Sequence, residues 1–422
     1  MADSSKDELS QTEGDELGGS FEPRPTLVMV VADSPWPPSW GGAFRMIGLF
    51  RALERQGDVI PLVLPLRRQF DAASAPVAAR LRSSWLPNQR WRRVLLRGRA
   101  VWRREHPFTT HLIEAGALAW LREQVLELSP QTVVLTFPFF GPFVRAIRAT
   151  GVRTIVDLSD YRQTISRQQM QSASRLSDKV RSWADLHAFR HLELEAGRVA
   201  DEVWFASSRD RDQYRQDCGI AGRVVPNTVR IADYGRYRSV SPLPNTVGYV
   251  GSLDYQPNRL AVRRLALAIL PKLRELAPKA RLRLIGRAPG RDIRQLAQES
   301  SGIDLFASPD DALALLAETS PLVVPLTVGG GTKLKVIEAA AAGIPIVSSS
   351  VGVEGLELRP GIDYLPAETD ADFAEAVARL WRDPDTCRRL SRAALERVTS
   401  FYDQAAADAA VATSFEAVGG GR

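Results

Sequence analysis

Residues 325–347 constrain the fold more than any other part of the chain. They read as strand end, glycine loop, helix, glycine and strand: Pro325, then Gly329, Gly330 and Gly331, a helical pattern over 334–342, Gly343, and an apolar run over 344–348. Strands joined through a helix lie parallel, and a parallel sheet needs helices on both faces. The same alternation recurs along the chain. Residues 27–32 form a short, continuous, β-branched run suited to a strand buried on both faces. A Pro- and Gly-dense loop over 33–42 follows, and Ile47, Leu49, Phe50 and Leu53 then recur at near-helical spacing. Further strands are expected at 59–64, 132–137, 154–157, 203–206 and 223–226. A second series has strands at 247–251, 282–285, 322–325 and 344–348, with helices at 259–276, 310–318, 334–342 and 371–382.

A chain of 422 residues exceeds one ordinary core. The polar stretch 233–245, with Gly235, Pro242 and Pro244 and no apolar periodicity, marks the connection between two domains. The expected organisation is a tail over 1–25, a first domain over 26–235, a linker over 236–246 and a second domain over 247–400. A last helical pattern, about 402–417, follows the second domain and is expected to cross back onto the first. The fold class is α/β, with two Rossmann-like, doubly wound domains. There is no short-period internal repeat.

At 45% hydrophobic and 25% charged the chain falls in the soluble globular class rather than the disordered or fibrous one. Cys218 and Cys387 are the only cysteines, which excludes a disulfide framework and a CxxC pair and fits a reducing cytoplasm. Residues 1–25 are rich in Asp, Glu, Ser and Gly, lack the basic-then-apolar order of a signal peptide, and read as a disordered tail. No apolar run approaches the ~20 residues that span a bilayer.

The glycine segment carries the chemistry. Three consecutive glycines let the backbone approach a ligand closely, and the N–H groups at the following helix start suit a diphosphate. Lys333 and Lys335 add positive charge there. No Gly-Lys-Ser/Thr sequence occurs, so this is not a Walker A loop and triphosphate hydrolysis is unsupported. Glu338 lies three residues beyond Lys335, on the same helix face, among Val336, Ile337 and Ala339 to Ala342. The pair reads either as a surface salt bridge or as a phosphate-binding lysine beside a ribose-binding acid. The triple glycine favours the second reading.

Several blocks occur in a characteristic order: 224–229 (VVPNTV), 247–258 (VGYVGSLDYQPN), 284–287 (LIGR), 331–338 (GTKLKVIE) and 350–355 (SVGVEG). Through them the chain resembles the retaining family 4 glycosyltransferases of GT-B fold, over about 27–402. The resemblance implies two Rossmann-like halves facing across a cleft, with a sugar nucleotide on the second and an acceptor hydroxyl on the first. Cleft closure then excludes water that would otherwise hydrolyse the donor. It further implies retention of anomeric configuration, with the leaving phosphate helping to deprotonate the acceptor and no dedicated base, metal or cofactor. Carried over by residue, Glu338 is the ribose-binding acid, Lys335 a diphosphate contact, and Gly41 and Gly42 the first-domain loop facing the donor, with Arg45 beyond them. Gly251, Ser252, Asn258 and Arg287 line the donor from the second domain, together with Gly330, Gly331, Thr332 and Lys333. Two departures stand out. The family's usual first glutamate falls, counting back from Glu338, on Gly330, and its usual basic pair is replaced near Ser252 and Asn258. The backbone amides of Gly330 and Gly331 are the expected substitute for holding sugar hydroxyls. Where family members often carry a first-domain His, this chain has Asp157 and Asp160, which read either as cleft-facing acids or as a helix cap.

Weaker signals remain. His187 and His191 sit at helical spacing, but no HExxH surrounds them and no metal site is expected. Nine arginines fall in 80–104 with no acid, interleaved with Trp85, Trp91 and Trp102, and removing their charge takes the chain from +6 to −3. The segment suits solvated surface, a peripheral contact with anionic membrane at the inner face, or nucleic acid; nothing else here reads bases. The rival functions are a pyridoxal-phosphate glycan phosphorylase, although those enzymes are far longer, and an inactive nucleotide-sugar-binding subunit, suggested by Gly330.

Overall fold

The computed structural model describes residues 24–32, 34–36, 41–64, 76, 78–82, 95, 98–99, 107–114, 116–137, 139, 141–173 and 175–419. The tail 1–23 and most of the arginine-rich segment lie outside these residues. In chain order the first half runs β1 (Thr26–Ala32), α1 (Gly41–Glu54), β2 (Asp58–Leu64), β3 (Arg80–Leu81), α2 (Pro107–Glu114), α3 (Ala117–Leu128), β4 (Thr132–Thr136) and α4 (Pro142–Arg148). It continues with β5 (Arg153–Ser159), α5 (Arg162–Ser172), α6 (Leu176–Val199), β6 (Glu202–Phe205), α7 (Ser208–Cys218) and β7 (Arg223–Val224). The second half runs β8 (Thr246–Val250), α8 (Gln256–Arg264), α9 (Leu270–Leu276), β9 (Arg281–Gly286), α10 (Arg291–Glu299), β10 (Ile303–Ala307), α11 (Ala312–Ala317), β11 (Leu322–Val324), α12 (Leu334–Ala341) and β12 (Ile346–Ser348). It ends with β13 (Leu365–Pro366), α13 (Asp370–Arg382), α14 (Pro384–Tyr402) and α15 (Gln404–Gly419).

Two parallel sheets result, as the alternation requires. The strand orders are β3-β2-β1-β4-β5-β6-β7 and β10-β9-β8-β11-β12-β13. Each order reverses once, between β1 and β4 in the first sheet and between β8 and β11 in the second. At such a reversal the loops leaving adjacent strand ends diverge to opposite faces and open a crevice. The loops after β8 and β11, which carry Gly251 and the triple glycine, therefore meet at the second crevice.

The second core extends further back along the chain than the expected linker. Val229, Ile231, Tyr234 and Tyr237 pack into it, ahead of β8. The helix expected over 259–276 is interrupted by a π-helical turn, Leu265–Ile269. Pro271 follows at once, and a proline ring cannot accept the regular α-helical overlap with the carbonyl four residues earlier. The final helix crosses back as expected: Ala407 and Val411 are buried with Leu49 and Phe50 of α1 in the first domain's core. No helix among the described residues is long and apolar enough to cross a membrane.

Candidate functional site

The site is built around α12. Val336, Ile337, Ala339, Ala340 and Ala341 anchor this helix in the second core, which leaves Lys335 and Glu338 together on its other side. They do not pair with each other. Lys335 Nζ donates to Asn258 Oδ1 at 2.9 Å and to the Tyr249 hydroxyl at 3.0 Å, and lies 4.2 Å from the centre of the Tyr249 ring. Glu338 accepts from the Tyr234 hydroxyl at 3.2 Å. Desolvation pushes Lys335 down to about 7, with the neighbouring Lys333 charge adding to the effect. Desolvation pushes Glu338 up to about 7, against the Tyr234 hydrogen bond and the Lys335 charge. A crowded lysine with no carboxylate in salt-bridge contact among the described residues gains strongly from an arriving anion.

The β8 loop completes this half. Asn258 accepts from the Tyr249 hydroxyl at 2.7 Å and donates to the Ser252 carbonyl at 2.8 Å, while Arg287 Nε donates to Ser252 Oγ at 2.8 Å. A Cβ on Gly251 would stand 2.9 Å from Lys335 Nζ, so only glycine leaves the ammonium its place. The structure thus brings Gly251, Ser252, Asn258, Arg287, Lys335 and Glu338 into one neighbourhood. Ala288 and Ser308, just past the ends of β9 and β10, hold φ of 51° and 55°, and Ser159 at the end of β5 holds 62°. Non-glycine residues in this region are strained, and here they lie at the ends of parallel strands.

The glycine loop faces the first domain closely. A Cβ on Gly330 would stand 2.0 Å from Ile165 Cγ1, and one on Gly331 would stand 2.2 Å from Asp160 Oδ1. Ile165 belongs to α5, and Asp160 to the turn that leads into it. The Asn227 amide donates to Thr332 Oγ1 across the same gap. Lys333 does not reach into open cleft: it is buried, donates to the Gly331 carbonyl at 2.8 Å and lies 3.8 Å from Glu354. Burial lowers its pKa, opposed by the charges of Glu354, Asp160 and Asp210. Glu354 also accepts from Arg209 of α7 at 2.6 Å, so the domains are ion-paired at this rim.

Asp157 and Arg45 hold each other inside the first domain. The Arg45 guanidinium grips both Asp157 oxygens, Nε at 2.9 Å, and also donates to the Val225 carbonyl at 3.0 Å and to Asn227 Oδ1 at 2.9 Å. Both side chains are almost fully buried, so Asp157 is neither a cleft-facing acid nor a helix cap, the two readings the sequence left open, and Arg45 is not exposed to a donor. Arg45 instead orients Asn227, which holds Thr332. Asp160 is the acid left at the cleft, and it adjoins a second acid, Asp210, pushed up to about 6 chiefly by burial and then by the Asp160 charge. Gly41 opens α1, and among the described residues no atom stands within 4 Å of a would-be Cβ.

Sequence reading missed Asp210, Arg209, Ile165 and Asn227 as site residues. Asn227 and Glu354 fall inside blocks that carry the family resemblance, a signal that marked the segments without naming the side chains. Of the histidine pair, His187 stacks on Trp183 at 4.7 Å and His191 lies 3.7 Å from Glu195.

Comparison with known proteins agrees with this fold. The family model "Glycosyl transferases group 1" matches residues 244–383. Glycogen synthase of Mycobacterium tuberculosis (strain H37Rv) is 31% identical over 169 residues, covering 38% of this chain and 39% of that protein. The match thus spans about two fifths of that relative's length. Among solved structures, sucrose-phosphate synthase from Thermosynechococcus elongatus is similar at TM-score 0.69 and 16% identity, over 94% of this chain and all of that one. Anabaena Alr3699/HepE in complex with UDP-glucose is similar at TM-score 0.64 and 14% identity, over 93% of this chain and 100% of that one.

Proposed function

We propose that this protein transfers a hexose-type sugar from a nucleoside diphosphate to an acceptor hydroxyl, with retention, since the group 1 glycosyltransferase model matches residues 244–383 and the fold is that of sucrose-phosphate synthase. The observation that carries the reading is Lys335, held at the switch-point crevice by neutral partners, with no carboxylate in salt-bridge contact among the described residues, one helical turn from Glu338. Lys335, Arg287 and the amides opening α12 offset the charge that grows on the diphosphate as the glycosidic bond breaks. Glu338 accepts the ribose hydroxyls. Asp160 and the amides of Gly330 and Gly331, which meet where the two domains touch, bound the sugar together at that edge of the cleft. The glycan or metabolite acceptor rests on the first domain.

UDP-glucose occurs in the Anabaena complex, which makes uridine donors the first to test. A thermal-shift panel of UDP-, GDP- and dTDP-sugars identifies the preferred donor, since ligand at 100 times its Kd adds about 2.7 kcal/mol. Lys335→Ala should then lower turnover more than donor affinity, because its cation acts on charge that develops in the transition state. Glu338→Ala should weaken donor and free nucleoside diphosphate alike, by about tenfold to a hundredfold for a charge-assisted contact of roughly 1.5–3 kcal/mol. Calorimetry with the diphosphate and nucleotide-release rates separate the two effects. If both folded variants match wild type, the donor does not sit on α12.

A further inference from the structure

Helix α6 presents a face that its own fold leaves uncovered. Leu176, Val180, Trp183, His187, Arg190 and Leu194 recur at alternating steps of four and three residues, which keeps them on one stripe. The other side of the helix, including Ala188, Phe189, Leu192 and Ala196, is buried in the first domain. On the outer stripe Leu176, Val180 and Trp183 are 78%, 57% and 51% exposed. Apolar side chains of this size grouped on one surface mark an interaction site rather than scattered surface.

Charge is sorted around the stripe. Lys179 flanks it, Arg190 sits on it, and neither has an ion-pair partner among the described residues. Asp178 and Asp185 fall on the far side of the helix, and Asp178 lies 4.0 Å from Arg181. The stripe runs at its Arg190–Leu194 end into a cavity of about 210 Å³ between α5, α6 and α7, also lined by Tyr161, Arg167 and Asp217. Asp217 is already committed, accepting from Arg167 at 2.9 Å, Tyr161 at 3.0 Å and Gln213 at 3.0 Å. Among the described residues, Arg190 stands at the mouth as a cation without an ion-pair partner.

We propose that this α6 face docks on an anionic lipid surface, with Leu176, Val180 and Trp183 entering the boundary between headgroups and acyl chains and a lipid phosphate seated against Arg190. An apolar stripe with basic flanks and its acids turned away is the arrangement that lies in a membrane interface, and tryptophan favours that depth. Charge complementarity selects anionic lipid over a neutral bilayer. The proposal stands whether or not the chain transfers sugar.

Sedimentation of the full chain with phosphatidylcholine vesicles, with and without phosphatidylglycerol, at low salt tests it. Wild type is expected to sediment with the anionic vesicles only. Val180→Asp with Trp183→Asp, and separately Lys179→Glu with Arg190→Glu, should each weaken that binding by about tenfold or more without lowering Tm. Wild type that stays in solution overturns the proposal, as do variants that sediment like wild type. Binding that persists in both variants but is lost on substituting Arg92, Arg93 and Arg97 moves the interface to the arginine-rich segment. Stabilisation by inorganic phosphate without vesicle binding makes the cavity a free-anion site, and dimerisation abolished by Trp183→Asp without vesicle binding makes the face a self-contact. Each of these also overturns the lipid reading.

Discussion

Lys335 and Glu338 lie one helical turn apart, yet each commits its charge to a different neighbour. Their environments press in opposite senses, Lys335 down to about 7 and Glu338 up to about 7. For Lys335 the unfolded chain holds the proton up to its ordinary pKa of ~10.4 while the folded chain releases it near 7, so this residue makes stability rise with pH across that window. For Glu338 the folded chain keeps a proton that the unfolded chain loses from about 4.3, so it makes stability fall as pH rises from there to about 7. A bound diphosphate restores the charged lysine. Binding of nucleoside diphosphate at pH 8 should therefore take up protons, and affinity should decline as pH rises above 7. Calorimetry in buffers of different ionisation enthalpy measures the uptake, and Lys335→Met should abolish it; wild type that takes up none would refute the placement. Arg45 gives a second residue-scale expectation. Arg45→Met leaves Asp157 as a buried charge without its partner and should cost about 3–5 kcal/mol in chemical denaturation, far more than a surface arginine. This pair also marks where sequence reading stops. Lys335 and Glu338 were legible because a short helix fixes their relation, whereas the partner of Asp157 lies 112 positions away on α1.

Helix α5 carries one of the contacts through which the two halves meet, and a buried acid in α6 anchors its opening turn. Glu193 accepts from the backbone N–H of Arg162 at 2.7 Å and from the Gln163 amide at 3.2 Å, which satisfies the opening turn of α5. Burial pushes this carboxyl up to about 8 against those hydrogen bonds. So anchored, α5 sets Ile165 against Gly330, where no side chain fits while Ile165 stands there, and this is the position where the sequence resemblance implies a glutamate. Gly330→Glu should therefore hold the cleft open and lower turnover by at least about tenfold, the effect of ~1.4 kcal/mol on a barrier. Adding Ile165→Ala should restore part of it. A single variant as active as wild type, or a double variant no better than the single, would separate Ile165 from cleft closure. Element by element, the sequence was most legible where apolar runs were long. β10 (Ile303–Ala307) escaped because Asp304 breaks its run and part of it stays half-exposed, and β13 because a two-residue edge strand carries no period. The π-helical turn escaped because apolar periodicity continues through it.

At the scale of the whole molecule, two cores share one chain that passes between them twice, at the segment leading into β8 and again at α15. The second passage was legible as a helical pattern left over after the second domain; its docking partner was not, since α1 lies at the opposite end of the sequence. By connectivity α15 belongs to the second domain, and by packing it belongs to the first. Ala407 and Val411 are fully buried beside α1, Gln404 donates to the Gly48 carbonyl at 3.0 Å, and Arg153 of β5 donates to the Ser414 carbonyl at 3.0 Å. Truncation after Asp403 would leave the second core whole, including Val398 and Tyr402, while baring one flank of α1. Uncovering apolar surface costs about 25 cal/mol per Å², so the few side chains that α15 covers amount to several kcal/mol, all charged to the first domain. Scanning calorimetry of the truncated chain should accordingly show the first domain melting earlier and the second unmoved, with UDP raising only the second transition. If truncation lowers both transitions equally, the domains unfold as one cooperative unit and the Arg209–Glu354 rim contact couples them more tightly than an exposed ion pair should. If it lowers neither, α15 contributes nothing to the first core despite its burial there.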